Sequence, residues 1–272
     1  MVYAACISVF LAVAAWHLLL LHLSPILGLS KPNFRQEIIP ASYGIIMLAY
    51  ALAGLDIIAI LNPSANNHIL VTAVVASSMC LLGFIDDVFG SRETSGFRGH
   101  FRMLIQQGKL TTGAAKAIGG GLTGIAAGYV ISDGSTARWI VSALLIPLGA
   151  NTLNLLDLRP GRACGAMILG LAMVFPFAFY KHDLSIVFLI TCITFAFAFW
   201  DGRGKAMMGD SGSNQLGAVL GVLIAVQTHI SFQIVMLLLM IGIQIYSEKH
   251  SINALIDRNR LLRKIDSRLG VR

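Results

Sequence analysis

The chain has 272 residues, of which 56% are hydrophobic and only 12% are charged. An ordinary soluble domain is about 45–50% apolar and about 25% charged, so this composition excludes a soluble globular enzyme. It also excludes a disordered chain, and four cysteines and aperiodic glycines exclude a disulfide scaffold and collagen. The composition predicts a polytopic membrane protein. We expect its net charge of +7 to reflect topology and contact with anionic lipid rather than nucleic acid.

Nine apolar runs follow one another along the chain, each near the ~20 residues that a helix needs to cross the hydrocarbon core. We predict an all-α, polytopic helix bundle with about nine transmembrane helices and no appended soluble domain. Residues 1–246 form the transmembrane domain, and residues 247–272 form a basic tail. The predicted spans cover residues 2–23, 41–61, 69–85, 112–132, 138–157, 164–180, 184–200, 212–228 and 231–246.

Lysine and arginine are segregated between alternate loops. With the N-terminus outside, 17 of the 20 basic residues lie in inner loops or in the tail, whereas the outer loops hold only Arg138 and Lys181. Cytoplasmic loops collect Lys and Arg, so the N-terminus is predicted outside and the C-terminus in the cytoplasm. The inner loops hold Lys31, Arg35, Arg92, Arg98, Arg102, Lys109, Arg159, Arg162, Arg203 and Lys205, and the other seven, including Arg272, lie in the tail.

The tail after Tyr246 has apolar residues at helical spacing among basic ones. This pattern predicts a basic amphipathic helix on the inner membrane surface. We expect it to anchor the chain to the membrane rather than to take part in chemistry. In the fourth run, Gly120, Gly124 and Gly128 recur every four residues, which predicts close helix packing.

The first polar cluster is a pair of adjacent acids, Asp86 and Asp87, directly after the third apolar run. Two acids at a membrane boundary repel each other and lose hydration, so we expect them to hold a cation or a basic partner. Because the chain has no clustered His or Cys, a hard divalent ion such as Mg²⁺ is the natural candidate. The alternative is that the pair begins a solvated loop.

The second cluster is the stripe Asn151, Asn154 and Asp157, which ends the fifth run beside Arg159 and Arg162. Spacing of three places the three side chains on one slowly drifting face of a helix. Amides and a carboxylate near guanidinium groups suit hydrogen bonding to a sugar or base and pairing with phosphate. Hydrogen bonding between buried helices is the alternative.

The third cluster runs from Gly209 to Asn214 and opens the eighth run. Small residues such as Gly209 and Ser211 at a helix N-terminus leave backbone N–H groups free to bind an anion, and Asp210 is a metal ligand candidate beside them. A metal ion next to a phosphate site is typical of phosphoryl transfer. All three clusters fall on the predicted inner side.

Two further charged residues are candidates for the same region. Lys116 lies just inside the fourth run, where an unpaired ammonium group is costly to bury. We therefore expect it to neutralise a phosphate, Asp86 or Asp87. Asp201 precedes Arg203 and either contributes to the site or has only a structural role.

Together these residues resemble the polyprenyl-phosphate N-acetylhexosamine-1-phosphate transferase superfamily, glycosyltransferase family 4. The resemblance implies a magnesium-dependent membrane enzyme that transfers a sugar-1-phosphate from a UDP-sugar to a polyprenyl phosphate such as undecaprenyl phosphate and releases UMP. The matching motifs occur in order along most of the chain. They are Lys31-Pro32-Asn33-Phe34-Arg35 with Ile39-Pro40, Gly83-Phe84-Ile85-Asp86-Asp87, Lys109-Leu110-Thr111-Thr112-Gly113 with Lys116, the Asn151/Asn154/Asp157 stripe, and Met208-Gly209-Asp210-Ser211-Gly212-Ser213.

Carried over residue by residue, the resemblance implies that Asp86 and Asp87 are the paired catalytic aspartates. It further implies that Asp210 is catalytic and binds Mg²⁺ together with Asp86, and that Asn154 and Asp157 line the nucleotide-sugar site. We add Asn151, Lys116, Gly209 and Ser211 as candidate substrate-binding residues. Direct displacement and a covalent intermediate both remain open, and so does a homodimer.

The chain departs from the muramoyl-pentapeptide branch of the superfamily at positions that branch uses. Where that branch has a lysine after the paired acids, this chain has Gly90, and where it has a second acid, this chain has Pro160. Met207 replaces an aromatic residue that the branch associates with the uracil ring. The branch's histidine-rich loop has no counterpart here beyond His250. These differences favour a simpler UDP-N-acetylhexosamine donor in cell-envelope glycopolymer synthesis. The alternative is a non-catalytic protein that keeps the fold and binds polyprenyl phosphate. A transporter is disfavoured, since it would carry charges at mid-membrane.

Overall fold

A computed structural model describes residues 7–8, 11–12, 24, 29–63, 66–90, 111–181 and 183–271. Most of the first predicted span, residues 2–23, lies outside this described part of the chain. The same holds for Arg92, Arg98, Arg102, Lys109, Leu110 and Arg272. All candidate site residues lie within it.

Eight long helices coincide with the remaining eight predicted spans. Six of them are long and apolar enough to cross a membrane: α1, α2, α3, α4, α5 and α8. The chain is therefore an all-helical membrane protein in its described part, apart from one short hairpin. The helices are α1 (Gly44–Leu61), α2 (Asn66–Phe89), α3 (Thr112–Ile131), α4 (Thr136–Leu156), α5 (Arg162–Tyr180), α6 (Ser185–Asp201), α7 (Gly209–Gln227) and α8 (Ile230–Ser247).

Helix α7 is the centre of the bundle, and every residue from Ser211 to Gln227 is buried. It packs most extensively on α4 and α2, and also contacts α1 and α5. These neighbours shield α7 from lipid, so its first turns tolerate polar residues that a lipid-facing helix could not carry. Helix α6 is apolar but has 17 residues, which is short for a span.

Helices α3 and α4 approach each other closely where the sequence predicts it. A Cβ atom on Gly124 would lie 2.4 Å from the carbonyl oxygen of Ala143, and one on Gly128 would lie 2.8 Å from the Ala143 nitrogen. The glycine spacing thus correctly predicts a tight helix contact.

A two-stranded antiparallel hairpin precedes α1. The all-α prediction did not include it, and it is the one sheet in the described part of the chain. Strands β1 (Ser30–Pro32) and β2 (Ile38–Pro40) pair with Lys31 opposite Ile39. The Asn33 side chain closes the turn, because its oxygen accepts the N–H groups of Arg35 and Glu37. Its amide also donates to the Gly204 carbonyl at 3.2 Å, which ties the hairpin to the α6–α7 loop.

Two short helices follow α8, namely α9 (Ile252–Arg258) and α10 (Arg260–Leu269). We call residues 248–271 the C-terminal tail. The tail meets the α6–α7 loop, where the Val271 N–H donates to the Gly202 carbonyl at 2.8 Å. One end of the bundle therefore holds the hairpin, the α4–α5 turn, the α6–α7 loop and the tail. We call it the carboxylate end. The α3–α4 and α5–α6 turns lie at the far end.

Candidate active site

Four helix ends bring charged and polar side chains together at the carboxylate end. Asp86 lies in the last turn of α2, and Lys116 lies in the first turns of α3. Asn154 lies near the end of α4, and Asp210 is the second residue of α7. The Lys116 ammonium donates to Asp86 Oδ2 at 2.9 Å and to Asp210 Oδ2 at 2.5 Å. The Asn154 amide also donates to Asp210 Oδ2, at 3.2 Å. One carboxylate oxygen of Asp210 thus joins three helices.

Asp87 has a different environment from its neighbour Asp86. Its carboxylate accepts the backbone N–H of Asp210 at 2.9 Å and that of Ser211 at 3.1 Å. These are N–H groups in the first turn of α7, where the helix dipole favours negative charge. Asp87 therefore occupies the anion-binding turn that the sequence suggested for a substrate phosphate, and it fixes the start of α7 against α2.

This junction between α2 and α7 depends on two glycines. Gly209 has φ +70°, and a Cβ atom there would lie 2.6 Å from Asp87 Oδ2. Gly83 lies one turn before the paired acids, and a Cβ atom on it would lie 2.2 Å from the Asp210 carbonyl oxygen. A larger residue at either position would push the Asp87 carboxylate or the start of α7 away.

Of the predicted asparagine stripe, Asn154 reaches the carboxylates and Asn151 does not. The Asn154 oxygen accepts the Ser213 hydroxyl at 3.1 Å, so both ends of its amide bind α7. Asn151 instead donates to Gln244 of α8, whose amide donates to Thr152 at 3.0 Å. The structure thus gives Asn151 the helix–helix role that the sequence left as an alternative.

Asp157 directly follows α4 and is half-buried. Burial raises the pKa of Asp157 well above its usual range, and the negative charges of Asp201, Asp210 and Asp87 raise it further. Its carboxyl group is therefore within electrostatic reach of the site.

Two charged neighbours of Asp157 have structural partners. Asp201 accepts the Gly161 N–H at 2.8 Å and lies 3.4 Å from the Cys164 sulfur, so it holds the α4–α5 turn. Arg162, predicted beside a phosphate, pairs with Asp266 of the tail instead. Sequence spacing could not reveal this pair, because its members are 104 residues apart.

A family model for glycosyl transferase family 4 matches residues 69–229 of the sequence, which is more than half of the chain. The chain belongs to glycosyl transferase family 4. The family consists of phosphoglycosyl transferases that act on polyprenyl phosphate. A search of curated protein sequences finds no match.

The region matched to glycosyl transferase family 4 contains α3 to α7 and all but the first three residues of α2, and therefore includes part of every helix that meets in the cluster. The hairpin, α1, α8 and the tail lie outside it. Asp86, Asp87, Lys116, Asn154 and Asp210 all come from the matched part of the chain.

A second lysine near the paired acids comes from outside the region matched to family 4. The Lys31 ammonium, on strand β1, donates to the Asp87 carbonyl at 2.5 Å. The sequence contains Lys31 in a recognised motif, but nothing in its spacing links it to Asp87. At Gly90, where the muramoyl-pentapeptide branch has its lysine, a Cβ atom would lie 2.3 Å from the Asp86 carbonyl oxygen. Lys31 of the hairpin thus supplies a second ammonium group near the acids, in addition to Lys116.

The oxygen donors in this family 4 site suit a hard cation. The Oδ2 atoms of Asp86 and Asp210 converge on one ammonium group, which shows that a positive charge is stabilised between them. Among the described residues, no group of three or more His, Cys, Asp or Glu side chains is arranged to hold a metal ion. Mg²⁺ needs no such group, since it is commonly held by one or two carboxylates with water and substrate phosphates.

Proposed function

We propose that the protein transfers a sugar-1-phosphate of the N-acetylhexosamine class from a UDP-sugar to a polyprenyl phosphate such as undecaprenyl phosphate, releasing UMP. The observation that carries this proposal is the meeting of Asp86, Lys116 and Asp210 in a family 4 chain. We place the reaction in cell-envelope glycopolymer synthesis, carried out by a monomer or a homodimer.

We further propose nine transmembrane helices, an outside N-terminus and a carboxylate end that faces the cytoplasm. The support is the segregation of Lys and Arg, since the described basic loops meet at this end. A UDP-sugar is a soluble, charged donor, so the proposed site faces the compartment that supplies it.

Asp86 and Asp210 are the residues we assign to Mg²⁺, because their Oδ2 atoms already share one cation. When bound, Mg²⁺ supplies positive charge that offsets the charge developing on the diphosphate. Asp86 and Asp210 would hold the ion, and the Lys116 ammonium beside both carboxylates would be placed to donate to a phosphate oxygen.

The chemistry we propose is direct displacement at the β-phosphorus of the donor. An oxygen of the lipid phosphate forms the new P–O bond, the bond from the β-phosphorus to the bridging oxygen breaks, and that oxygen leaves with the electron pair in UMP. A phosphate monoester is largely ionised near pH 7, since its second pKa is about 6. The site therefore has to position the lipid phosphate more than to remove its proton.

Asp87 is a positioning residue in this scheme. Both of its carboxylate oxygens accept N–H groups of α7, so it fixes Asp210 rather than attacking phosphorus. This arrangement favours direct displacement over a covalent aspartyl intermediate. The donor side is assigned to Asn154 and Asp157, since Asp87 already accepts the backbone N–H of Ser211 in the turn predicted to bind a phosphate.

The test is an assay of the purified full-length protein with undecaprenyl phosphate and a panel of UDP-sugars, measuring UMP with Mg²⁺ and with EDTA. We expect Mg²⁺-dependent UMP release with at least one UDP-N-acetylhexosamine. Asp86→Asn is expected to abolish it, whereas Asp257→Asn, on the exposed side of the tail, is the matched control. A folded protein that releases no UMP from any donor would overturn the proposal in favour of a non-catalytic polyprenyl-phosphate-binding protein.

A further inference from the structure

The C-terminal tail is fixed to the bundle by a buried ion pair. The Arg162 guanidinium donates to both oxygens of Asp266, from Nε at 2.8 Å and from Nη2 at 3.1 Å. Its Nη1 donates to Asn253 of α9 at 2.7 Å. Arg162 is 7% exposed and Asp266 is 8% exposed. One arginine at the start of α5 therefore holds both tail helices, in a bidentate geometry that fixes their orientation.

The end of the tail lies against the α4–α5 turn, residues 157–161. The Gly161 backbone packs against the Leu269 carbonyl so closely that a Cβ atom would lie 2.0 Å from that oxygen. The following residues continue to the α6–α7 loop, where Val271 donates to Gly202. This turn begins with Asp157, so the tail borders the backbone that carries a candidate donor-site residue.

Helix α10 also carries an exposed apolar stripe. Leu261, Ile265 and Leu262 are 66%, 48% and 37% exposed. At about 100° per residue, these three side chains fall within one arc of roughly 100°. Asp266 lies just beyond one edge of this arc, and Lys264 and Arg268 flank its other edge. The remaining basic residues, Arg260 and Arg263, lie on the opposite side, and all four are exposed.

An exposed apolar stripe bordered by Lys and Arg is the pattern of a helix that lies in a membrane interface. Between Glu248 and Val271 the chain has six Lys or Arg and three Asp or Glu, and Arg162 compensates one of these acids. Because α8 ends at Ser247 and α9 begins at Ile252, the tail starts at the end of a membrane-crossing helix and stays near the bilayer surface. Charge complementarity selects anionic lipid headgroups.

We propose that the apolar and basic face of α10 docks on an anionic lipid surface, and that this contact stabilises the α4–α5 turn through the Arg162–Asp266 pair. Lipid holds one face of α10 while Arg162 holds the other. Anionic lipid thus orders the backbone next to Asp157. The inference concerns lipid binding and backbone order, and it stands whether or not the proposed transfer activity is found.

The first test is limited trypsin digestion of the full-length protein in nanodiscs of phosphatidylcholine alone or with phosphatidylglycerol. Trypsin cuts after the basic residues of α10, and intact mass reports loss of the tail. We expect cleavage to be at least about fivefold slower in the anionic bilayer. Leu261→Gln with Ile265→Gln should remove this protection, whereas Ser267→Gln, on the basic side of α10, should keep it.

Equal cleavage rates for the wild type in the two bilayers would overturn the proposal. So would full protection of the Leu261→Gln/Ile265→Gln variant, because the contact would then lie elsewhere or involve another partner.

The second test measures hydrogen–deuterium exchange of residues 157–161 in the same nanodiscs. We expect slower exchange in the anionic bilayer for the wild type and for Asp257→Asn, but the same exchange in both bilayers for Asp266→Asn. Where Asp266→Asn does not fold, the wild type alone decides, because a lipid-independent exchange rate at the turn would disprove the coupling.

Discussion

The carboxylate end and the far end of the bundle use charge in opposite ways. At the carboxylate end, Lys116 binds acids 30 and 94 residues away, and its side chain is 16% exposed. At the far end, Arg138 lies 3.4 Å from Asp133, five residues earlier, and the Asp133 side chain is 80% exposed. The first arrangement forms only when distant helices pack, whereas the second is local and solvated.

The energetic consequences of the two arrangements differ accordingly. An exposed ion pair contributes about 0–1 kcal/mol, because water screens it. Removing one member of a buried pair costs several kcal/mol, since the other charge is left without compensation. Matched substitutions at the two ends should therefore have very different effects, and the following predictions use such pairs.

The largest expected effect follows from removing the charge of Asp210. Asp210→Asn deletes the carboxylate shared by Lys116 and Asn154, so UMP release should fall by about 10³-fold or more. The control is Asp133→Asn at the far end, where φ is +48° and asparagine is readily accommodated. Its rate should equal that of the wild type, and a comparable loss in both variants would remove the distinction between the ends.

Replacing the central ammonium should make the stability of the protein depend on Mg²⁺. Lys116→Met leaves Asp86 and Asp210 without their shared cation, which should lower the free energy of unfolding by about 3 kcal/mol in EDTA. Mg²⁺ should restore much of this loss, so the Mg²⁺-dependent rise in Tm should exceed that of the wild type. In the control Lys181→Met, which loses a bond to the Val226 carbonyl, Mg²⁺ should change Tm no more than in the wild type.

The third comparison is between two glycines with positive φ, one at each end of the bundle. Gly209 and Gly134 have φ +70° and +81°, so alanine should cost about 1 kcal/mol of backbone strain at either position. A Cβ atom on Gly209 also meets the Asp87 carboxylate, whereas one on Gly134 has no atom within 4 Å. Gly209→Ala should therefore reduce UMP release at least about tenfold, and Gly134→Ala should leave it unchanged. Equal activities would show that the Asp87–α7 junction is dispensable.

The smallest effect is expected for the exposed pair itself. Arg138→Ala should change the free energy of unfolding by less than about 0.5 kcal/mol, since its partner remains hydrated. Thermal unfolding of the two proteins in the same detergent measures the difference. A loss of several kcal/mol would mean that the far end also depends on ion pairs.

The sequence predicts the helices well because the membrane imposes a length and a composition on each span. Eight apolar runs coincide with α1 to α8. A helix is correctly predicted at α7, but α7 is not among the six described helices that are long and apolar enough to cross a membrane. Its first turn is polar, and its neighbours bury the rest of it. The hairpin was missed because three-residue strands have no periodicity to detect.

The meeting of the acids could be predicted, but their individual partners could not. Placing Asp86, Asp87 and Asp210 on one side follows from the segregation of charge. The packing of α3 against α2 and α7 determines which acids Lys116 binds. We expected Asp86, Asp87 or a phosphate, whereas in the structure Lys116 donates to Asp86 and Asp210. The Arg162–Asp266 pair likewise exists only because the tail folds back onto α5.

The ammonium group between Asp86 and Asp210 has a consequence for how the protein is made. Many metal sites gather acids that repel one another until the ion arrives, so that folding waits for the metal. Here Lys116 serves as an internal counter-ion, and the N–H groups of α7 receive the third acid. The helices can therefore assemble without a divalent cation, and under the proposed function Mg²⁺ would enter late, in exchange for the Lys116 ammonium.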